Sequence, residues 1–226
     1  MAMREDLGKF FSNFLPQNTA PFDPSVFHDP LAQATQWTPA VRGGANFCTH
    51  RLKKIDHTRL EFRPTFGMVV FCLFFILFGL AFAVLPLGSI YKQYGGFHWS
   101  MLPAPLFGLF FSFLGIAIFR MSQCPVVFDM KRGGFCKGWA GSGPAGRRKG
   151  ETFVDMSRIH ALQVLSEYCH GSKSSYHSYE LNLVLEDASR VNVVDHGDLR
   201  ALREDAGVLG QFLGVPVWDV GTVTGS

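Results

Sequence analysis

Two long apolar runs without a charged side chain constrain this chain more than any other feature. The first spans residues 66–91 and the second runs from Gln93 to Phe119. A helix needs about 20 apolar residues to cross a hydrocarbon core of about 30 Å, so each run is long enough. In lipid the backbone must satisfy its own hydrogen bonds, which favours helices. We predict a transmembrane hairpin over 66–119, with helices at 67–91 and 101–119.

The alternative for these runs is a pair of helices buried in a large soluble core. The whole chain has 226 residues, which leaves little protein to surround two such helices. Phenylalanine supports the membrane interpretation, since 12 of the 23 Phe residues fall between Phe66 and Phe119. The mean hydropathy of +0.14 is mild because polar flanking segments dilute the hairpin.

The net charge argues against one class of partner, and the cysteine pattern indicates the redox state of the compartment. A net charge of +3 is too small to indicate a nucleic-acid partner. The five cysteines contain no C-x-x-C pair, which indicates reduced thiols instead of a disulfide framework. We expect no cleavable signal peptide, because residues 1–15 lack an apolar core.

Orientation follows from the basic residues beside the hairpin. The connection Lys92–Ser100 contains one Lys, whereas Lys and Arg are frequent on the other side, at Arg51, Lys53, Lys54, Arg59, Arg63, Arg120, Lys131, Arg132 and Lys137. Positive residues remain on the cytoplasmic side of a membrane. We therefore predict a multi-pass protein with both termini in the cytoplasm.

Small residues recur at a spacing of four within both runs. They are Gly79 and Ala83 in the first, and Ala104, Gly108 and Ser112 in the second. Close packing drives helix association in lipid, so we expect the two helices to contact each other or a second copy in a homo-oligomer. Neither predicted helix contains an acid, a base or an amide, which argues against a transporter or a proton path.

The segments before the hairpin predict an arm and a strand pair. Residues 1–43 form the arm, in which Asp6–Leu15 has the pattern of a short amphipathic helix that either lies on the membrane or caps the folded domain. Apolar residues among its prolines suggest that the arm is pinned to a surface. Residues 44–65 predict strands at Ala45–Lys54 and Thr58–Pro64, which we expect to join the downstream sheet.

Residues 120–219 predict an α+β cytoplasmic domain, followed by a flexible tail at 220–226. Its helix is Asp198–Leu213, capped by Asp195 or Asp198 and ended by Gly214. The predicted strands are Val126–Met130, Gly134–Lys137, Phe153–Asp155, Ile159–Tyr168, Tyr179–Glu186 and Arg190–Val194. In Tyr179–Glu186 apolar and polar residues alternate, with Val184 as the one exception.

Six short strands before one helix resemble the order of a pleckstrin-homology-like domain. The stretch YELNLVLEDASRVNVVDHGDLRALREDAGVLGQFLGVPVWD (179–219) and the segment WTPAVRGGANFCTHRL (37–52) are similar to uncharacterised bacterial inner-membrane proteins. Those proteins carry a two-helix hairpin before such a domain. The resemblance implies a pleckstrin-homology-like antiparallel sheet or barrel with a C-terminal helix, in the bacterial inner membrane, and it implies no particular activity.

Two clusters of polar residues have the composition of a chemical site. Asp195-His196-Gly197-Asp198 places a possible base, His196, beside a possible orienting carboxylate, but the same turn needs Gly and a capping Asp to start a helix. A zinc site would combine Cys48, His50 and His57 with Cys169, His170 and His177, whose spacing matches no metal motif. We predict no catalytic residue, metal or cofactor.

Six basic residues are the predicted binding set: Lys131, Arg132, Lys137, Arg147, Arg148 and Lys149. Near an anionic leaflet each can add about 1 kcal/mol of attraction, although holding the orientation of the hairpin is a sufficient role for some of them. We predict a non-enzymatic protein whose domain binds a protein partner or the anionic membrane surface, as a scaffold, a regulator or an immunity protein of a toxin or secretion system. The alternative is a membrane-anchored enzyme that uses the turn Asp195–Asp198.

Overall fold

The computed structural model describes residues 22–41, 43–96, 98–139, 151–170 and 175–220. Four α-helices and nine strands lie within these ranges. In chain order they are α1 (Pro30–Ala34), β1 (His50–Asp56), β2 (Arg59–Pro64), α2 (Phe66–Tyr94), α3 (Pro103–Ser122), β3 (Val126–Asp129), β4 (Gly134–Lys137), β5 (Thr152–Asp155), β6 (Ile159–His170), β7 (Ser175–Leu185), β8 (Arg190–His196), α4 (Leu199–Leu213) and β9 (Val217–Asp219).

The helices α2 and α3 form the expected hairpin, each extending three residues beyond its predicted end. They contact each other through their small residues. A Cβ atom at Gly79 or Gly108 would overlap the backbone of the facing helix, and the Ser112 hydroxyl donates to the Ile76 carbonyl at 3.1 Å. Ala83 is buried and Ala104 is half-buried. The small-residue packing therefore joins two helices of one chain.

The outer surfaces of α2 and α3 are apolar and exposed. Only 22% of the most apolar stretch of α2 and 17% of that of α3 is buried inside the protein. Leu77, Leu85 and Phe113 are each more than three-fifths exposed. The described residues therefore contain two helices that are long and apolar enough to cross a membrane, and neither is the buried core of a soluble domain.

The strands form two sheets, and the first combines strands that come before the hairpin in the chain with strands that come after it. Its order is β1-β2-β3-β4-β5, antiparallel throughout. The pairing of β2 with β3, from Arg59 opposite Asp129 to Phe62 opposite Val126, joins the strand pair to the downstream strands as expected. The second sheet has the order β8-β7-β6-β9.

The strand β1 begins at His50, whereas the sequence predicted a strand from Ala45. The backbone before His50 is bonded elsewhere. The Phe47 carbonyl accepts from the Gly197 amide at 3.1 Å, and the Thr49 carbonyl accepts from the Thr65 amide at 2.9 Å. These bonds attach the segment to the β8–α4 turn and to the start of α2, so it is not in a ladder.

One apolar core lies between the two sheets and is closed by α4. Its buried side chains alternate along the strands and recur on one face of the helix, and they include Leu60, Phe128, Phe135, Leu162, Leu181, Leu183, Leu202 and Leu209. The Asp198 carboxylate caps α4 by accepting from the Ala201 amide at 3.0 Å, and Gly214 ends it with φ of +71°. The predicted helix and both of its caps are confirmed.

The short strand β9 was not expected. It follows α4 and pairs in parallel with Leu162–Val164 of β6. Three residues after Pro216 are too few to show a strand period, so tertiary pairing alone makes this segment a strand. Its buried Trp218 belongs to a second apolar cluster with Ala161 and Val184.

The arm over residues 22–41 covers the outer face of the second sheet. Phe27 and Trp37 stack on each other and pack near Trp218, and the Glu180 carboxylate accepts from the Ala40 and Val41 amides at 2.9 and 3.2 Å. The arm is thus pinned to a surface, as its apolar residues predicted. It also explains the break in alternation, because Val184 packs beneath this arm. The predicted helix Asp6–Leu15 and the tail from residue 221 onward lie outside the described residues.

Candidate functional site

A pocket of about 310 Å³ lies where the hairpin meets the two sheets. We call it the junction pocket. One wall is apolar and comes from the helix ends, with Met68 on α2 and Ile118 and Met121 on α3. A polar wall is formed by Lys137, Asn192 and Asp195, which are hydrogen-bonded to one another. The remaining lining residues are Thr49, His50, Ser122, Cys124, Val126, Val193 and Val194.

The entry segment of β1 fixes both helix ends at this pocket. The Thr65 hydroxyl caps α2 by accepting from the Met68 amide at 3.2 Å and donates to the Cys48 carbonyl at 2.7 Å. The His50 Nε2 lies 2.9 Å from the carbonyl oxygen of Ser122, the last residue of α3, and a carbonyl can only accept, so Nε2 carries a proton. Burial lowers the pKa of His50, which favours the neutral ring. The hairpin is therefore hydrogen-bonded at one end to β1 and at the other to the residues just before it.

A chain of hydrogen bonds crosses the polar wall. The Lys137 ammonium donates to the side-chain and backbone oxygens of Asn192 at 2.8 and 3.1 Å. The amide Nδ2 of Asn192 donates to the Asp195 carboxylate at 2.8 Å. The two charged groups therefore meet opposite ends of one neutral amide. Neither forms a direct ion pair with any side chain among the described residues.

Burial makes both charges of the polar wall costly. Burial lowers the pKa of Lys137, although the charge of Asp195 works in the opposite direction. Burial raises the pKa of Asp195 to about 6, against the effect of the Asn192 hydrogen bond, and the nearby Glu180 raises it further. Buried charges that lack a direct partner destabilise a fold, and groups with perturbed pKa values concentrate at functional sites. This wall is the strongest candidate site in the described part of the chain.

Lys131 and Arg132, two of the predicted binding residues, lie at the end of the sheet that is remote from the hairpin. Strand β3 starts at Val126 beside α3, and its last residue, Asp129, pairs with Gly134. The turn at 131–133 is therefore about 10 Å farther from the helix ends than Val126 is. The Lys131 and Arg132 amides both donate to the Asp129 carboxylate, at 3.0 and 3.1 Å, so this turn is organised by a local contact.

Lys137 lies at the near end, directly opposite Val126 in the register. Its ammonium turns into the junction pocket instead of facing an open surface. Trp139 follows it and is 61% exposed, next to Gly138, whose amide donates to the Pro125 carbonyl at 3.0 Å. Arg147, Arg148 and Lys149 lie outside the described residues.

The turn Asp195–Asp198 does not assemble the catalytic pair considered from the sequence. His196 is fully buried, and its Nδ1 accepts from the Asp198 amide at 3.3 Å instead of contacting Asp195. Its Nε2 has no hydrogen-bond partner, and burial lowers the pKa of His196 to about 4. A general base must reach its substrate, and this ring does not. The geometry of the turn fits the start of α4.

Among the side chains that the structure describes, the residues proposed for zinc are not brought together; the His170 side chain lies outside them. Across the described ranges, no group of three or more His, Cys, Asp or Glu side chains is arranged to hold a metal ion. Both ring nitrogens of His50 are already engaged, with Thr49 and Ser122.

Sequence reasoning named Lys137 and Asp195 separately and missed Asn192, which connects them. The sequence places Lys137 among the surface cations, and it offers Asp195 as a helix cap or as an orienting group for His196. The available signal was the polar residue at position 192 inside the apolar run VNVV (191–194).

Compared with known proteins, the chain matches no family model, no curated protein and no solved structure.

Proposed function

We propose that this protein is a non-enzymatic, two-span protein of the bacterial inner membrane whose α+β domain is a binding module held at the cytoplasmic surface. The observation that carries the proposal is the junction itself. Two helices with exposed apolar surfaces lead directly into a hydrogen-bonded joint with β1 and the residues just before it, through Thr65 at one end and Ser122 at the other. Such a joint fixes the distance between the domain and the bilayer.

The pleckstrin-homology-like part of the proposal is supported by the strand order. Five antiparallel strands form one sheet, three further antiparallel strands form most of the second, and α4 closes the shared core. The hairpin enters between β2 and β3, so removing it from the sequence would leave a continuous meander. The parallel strand β9 is an addition to that plan.

A binding role is favoured by what the domain places near the helix ends. The junction pocket combines an apolar wall with Lys137, Asn192 and Asp195, and the exposed Trp139 follows Lys137 by two residues in the chain. Tryptophan is enriched where a protein meets the membrane interface. The protein would act as a scaffold, a regulator or an immunity protein whose partner meets this face. The alternative, an enzyme at the turn Asp195–Asp198, has less support because His196 is buried without access to a substrate.

Cysteine labelling of intact cells tests the location and topology. In a chain whose native cysteines are replaced, Ser100→Cys should react with a membrane-impermeant maleimide from the periplasm, and Ser226→Cys should react only after lysis, because the basic residues flank the hairpin on one side. The protein should also resist extraction by alkaline carbonate. Periplasmic labelling at 226, or release by carbonate, would overturn the proposal.

A further inference from the structure

Lys137 retains binding capacity in the junction pocket. An ammonium group has three N–H donors, and Asn192 accepts two of them. The described part of the chain provides no carboxylate within ion-pair distance of this ammonium. The third donor and most of the charge are therefore open to an anionic group that enters the pocket.

Asp195 offers the complementary charge at the other end of the same amide. One carboxylate oxygen accepts from Asn192, and no described donor is bonded to the other. The Lys137 nitrogen and this carboxylate are at most about 8 Å apart, the sum of two hydrogen-bond lengths and the width of one amide. A ligand with a negative and a positive group separated by a short chain would therefore satisfy both.

The apolar wall indicates how the rest of the ligand is placed. Met121 lines the pocket and is 74% exposed, and Phe110, three turns earlier on the same face of α3, is 60% exposed. This surface faces hydrocarbon if the helices cross a membrane, so acyl chains can follow it while a polar head occupies the pocket. The volume of about 310 Å³ is at the lower end of small-molecule sites.

We propose that the junction pocket binds the head group of a zwitterionic phospholipid that carries a primary amine, the phosphatidylethanolamine class. Its phosphate meets the Lys137 ammonium, and its own ammonium donates to the Asp195 carboxylate. The inference rests on the membrane location proposed above and adds a ligand to it.

Two related head groups fit the pocket less well. A purely anionic lipid would place its phosphate near Asp195 without a cation for that carboxylate, and like charges repel. A choline head group has no N–H to donate, and proteins bind such groups with aromatic rings. None of the described residues that line the pocket is aromatic apart from the imidazole of His50, which is held by Thr49 and Ser122.

Equilibrium binding of tail-labelled lipids to the full-length chain in non-ionic detergent tests the proposal. Phosphatidylethanolamine should bind about tenfold more tightly than phosphatidylglycerol or phosphatidylcholine, the effect of one hydrogen bond to a charged group. Asp195→Asn should abolish the preference for phosphatidylethanolamine over phosphatidylglycerol. Lys137→Met should weaken the binding of both lipids.

Matched controls lie on the exposed surface. Glu186→Gln and Lys54→Met remove the same charges from exposed positions and should leave all three affinities unchanged. Equal affinities for the three lipids, tighter phosphatidylglycerol binding, or an unchanged preference in Asp195→Asn would each overturn the proposal. Asp195→Asn preserves side-chain volume, so it remains decisive if Lys137→Met does not fold. Carbonate extraction of the membranes from which the chain is purified shows separately whether the membrane location itself fails.

Discussion

The interface between α2 and α3 differs from the junction pocket in how its polar groups are paired. The interface is formed by Gly79, Gly108 and Ser112, and the Ser112 hydroxyl donates a hydrogen bond to the Ile76 carbonyl of the facing helix. The pocket holds Lys137 and Asp195 without a direct ion pair. The first arrangement maximises packing, whereas the second retains charge at a cost in stability. Such a cost is expected where a protein binds something.

The largest effect should come from filling the helix interface. Gly108→Leu would force a side chain into the backbone of α2 around Gly79 and Ala83, and we expect a loss of about 3 kcal/mol in the free energy of unfolding. Thermal unfolding in detergent micelles, followed by circular dichroism, would measure it.

The control is a glycine on the same hairpin that faces open space. A Cβ at Gly88 meets nothing within 4 Å, so Gly88→Leu should unfold within a few degrees of the unchanged chain. If both variants unfold alike, close packing of α2 on α3 does not stabilise the hairpin.

Removing the charge of Asp195 should raise the free energy of unfolding, whereas filling the helix interface lowers it. Its folded pKa of about 6 is above the ordinary value of 3.8, so the folded state binds the extra proton between these values and loses stability as pH rises through them. Asp195→Asn should therefore stabilise the fold above pH 6 by about 2 kcal/mol, and this gain should disappear below about pH 4. Denaturant unfolding at pH 4, 5, 6 and 7.5 would record the difference between variant and unchanged chain.

Comparing the two chains at each pH isolates Asp195 from His196, whose lowered pKa gives the opposite slope. The folded pKa of His196 is about 4, so the ring stays neutral in the folded state while it gains a proton in the unfolded state. The fold therefore loses stability as pH falls from about 6.5. Both chains contain this ring, so its effect cancels. A destabilised Asp195→Asn variant at pH 7.5 would show that the carboxylate supports the fold and does not strain it.

Local patterns predicted the elements, and long-range packing produced the candidate site. The hairpin and α4 follow from charge-free length and from caps such as Asp198 and Gly214, which act within a few residues of sequence. The junction pocket draws its residues from five separate segments: 49–50, Met68, 118–126, Lys137 and 192–195. No periodicity relates these segments, because tertiary contacts alone bring them together.

The same distinction explains two smaller differences. Residues 45–49 have the composition of a strand, but their carbonyls bind Gly197 and Thr65 across the fold. Val184 interrupts an alternating strand because the arm buries the outer face of the second sheet as well as the inner one. In both cases a partner remote in sequence decides the local outcome.

The smallest effect should come from the turn at 131–133. A double substitution there tests whether basic residues matter only near the helix ends or anywhere on the sheet. Lys131 and Arg132 are exposed and lie at the end of β3 away from the hairpin. Replacing both with Ser should change the free energy of unfolding by less than about 0.5 kcal/mol, as is usual for exposed positions. Exchange of labelled lipid on the chain in nanodiscs should also be unchanged, because about 10 Å of sheet separates this turn from the helix ends and salt screens electrostatic attraction over a similar distance. A faster exchange, as expected for Lys137→Met with its weaker lipid binding, would show that the turn contacts the bilayer, and the distinction between the two ends of the sheet would then fail.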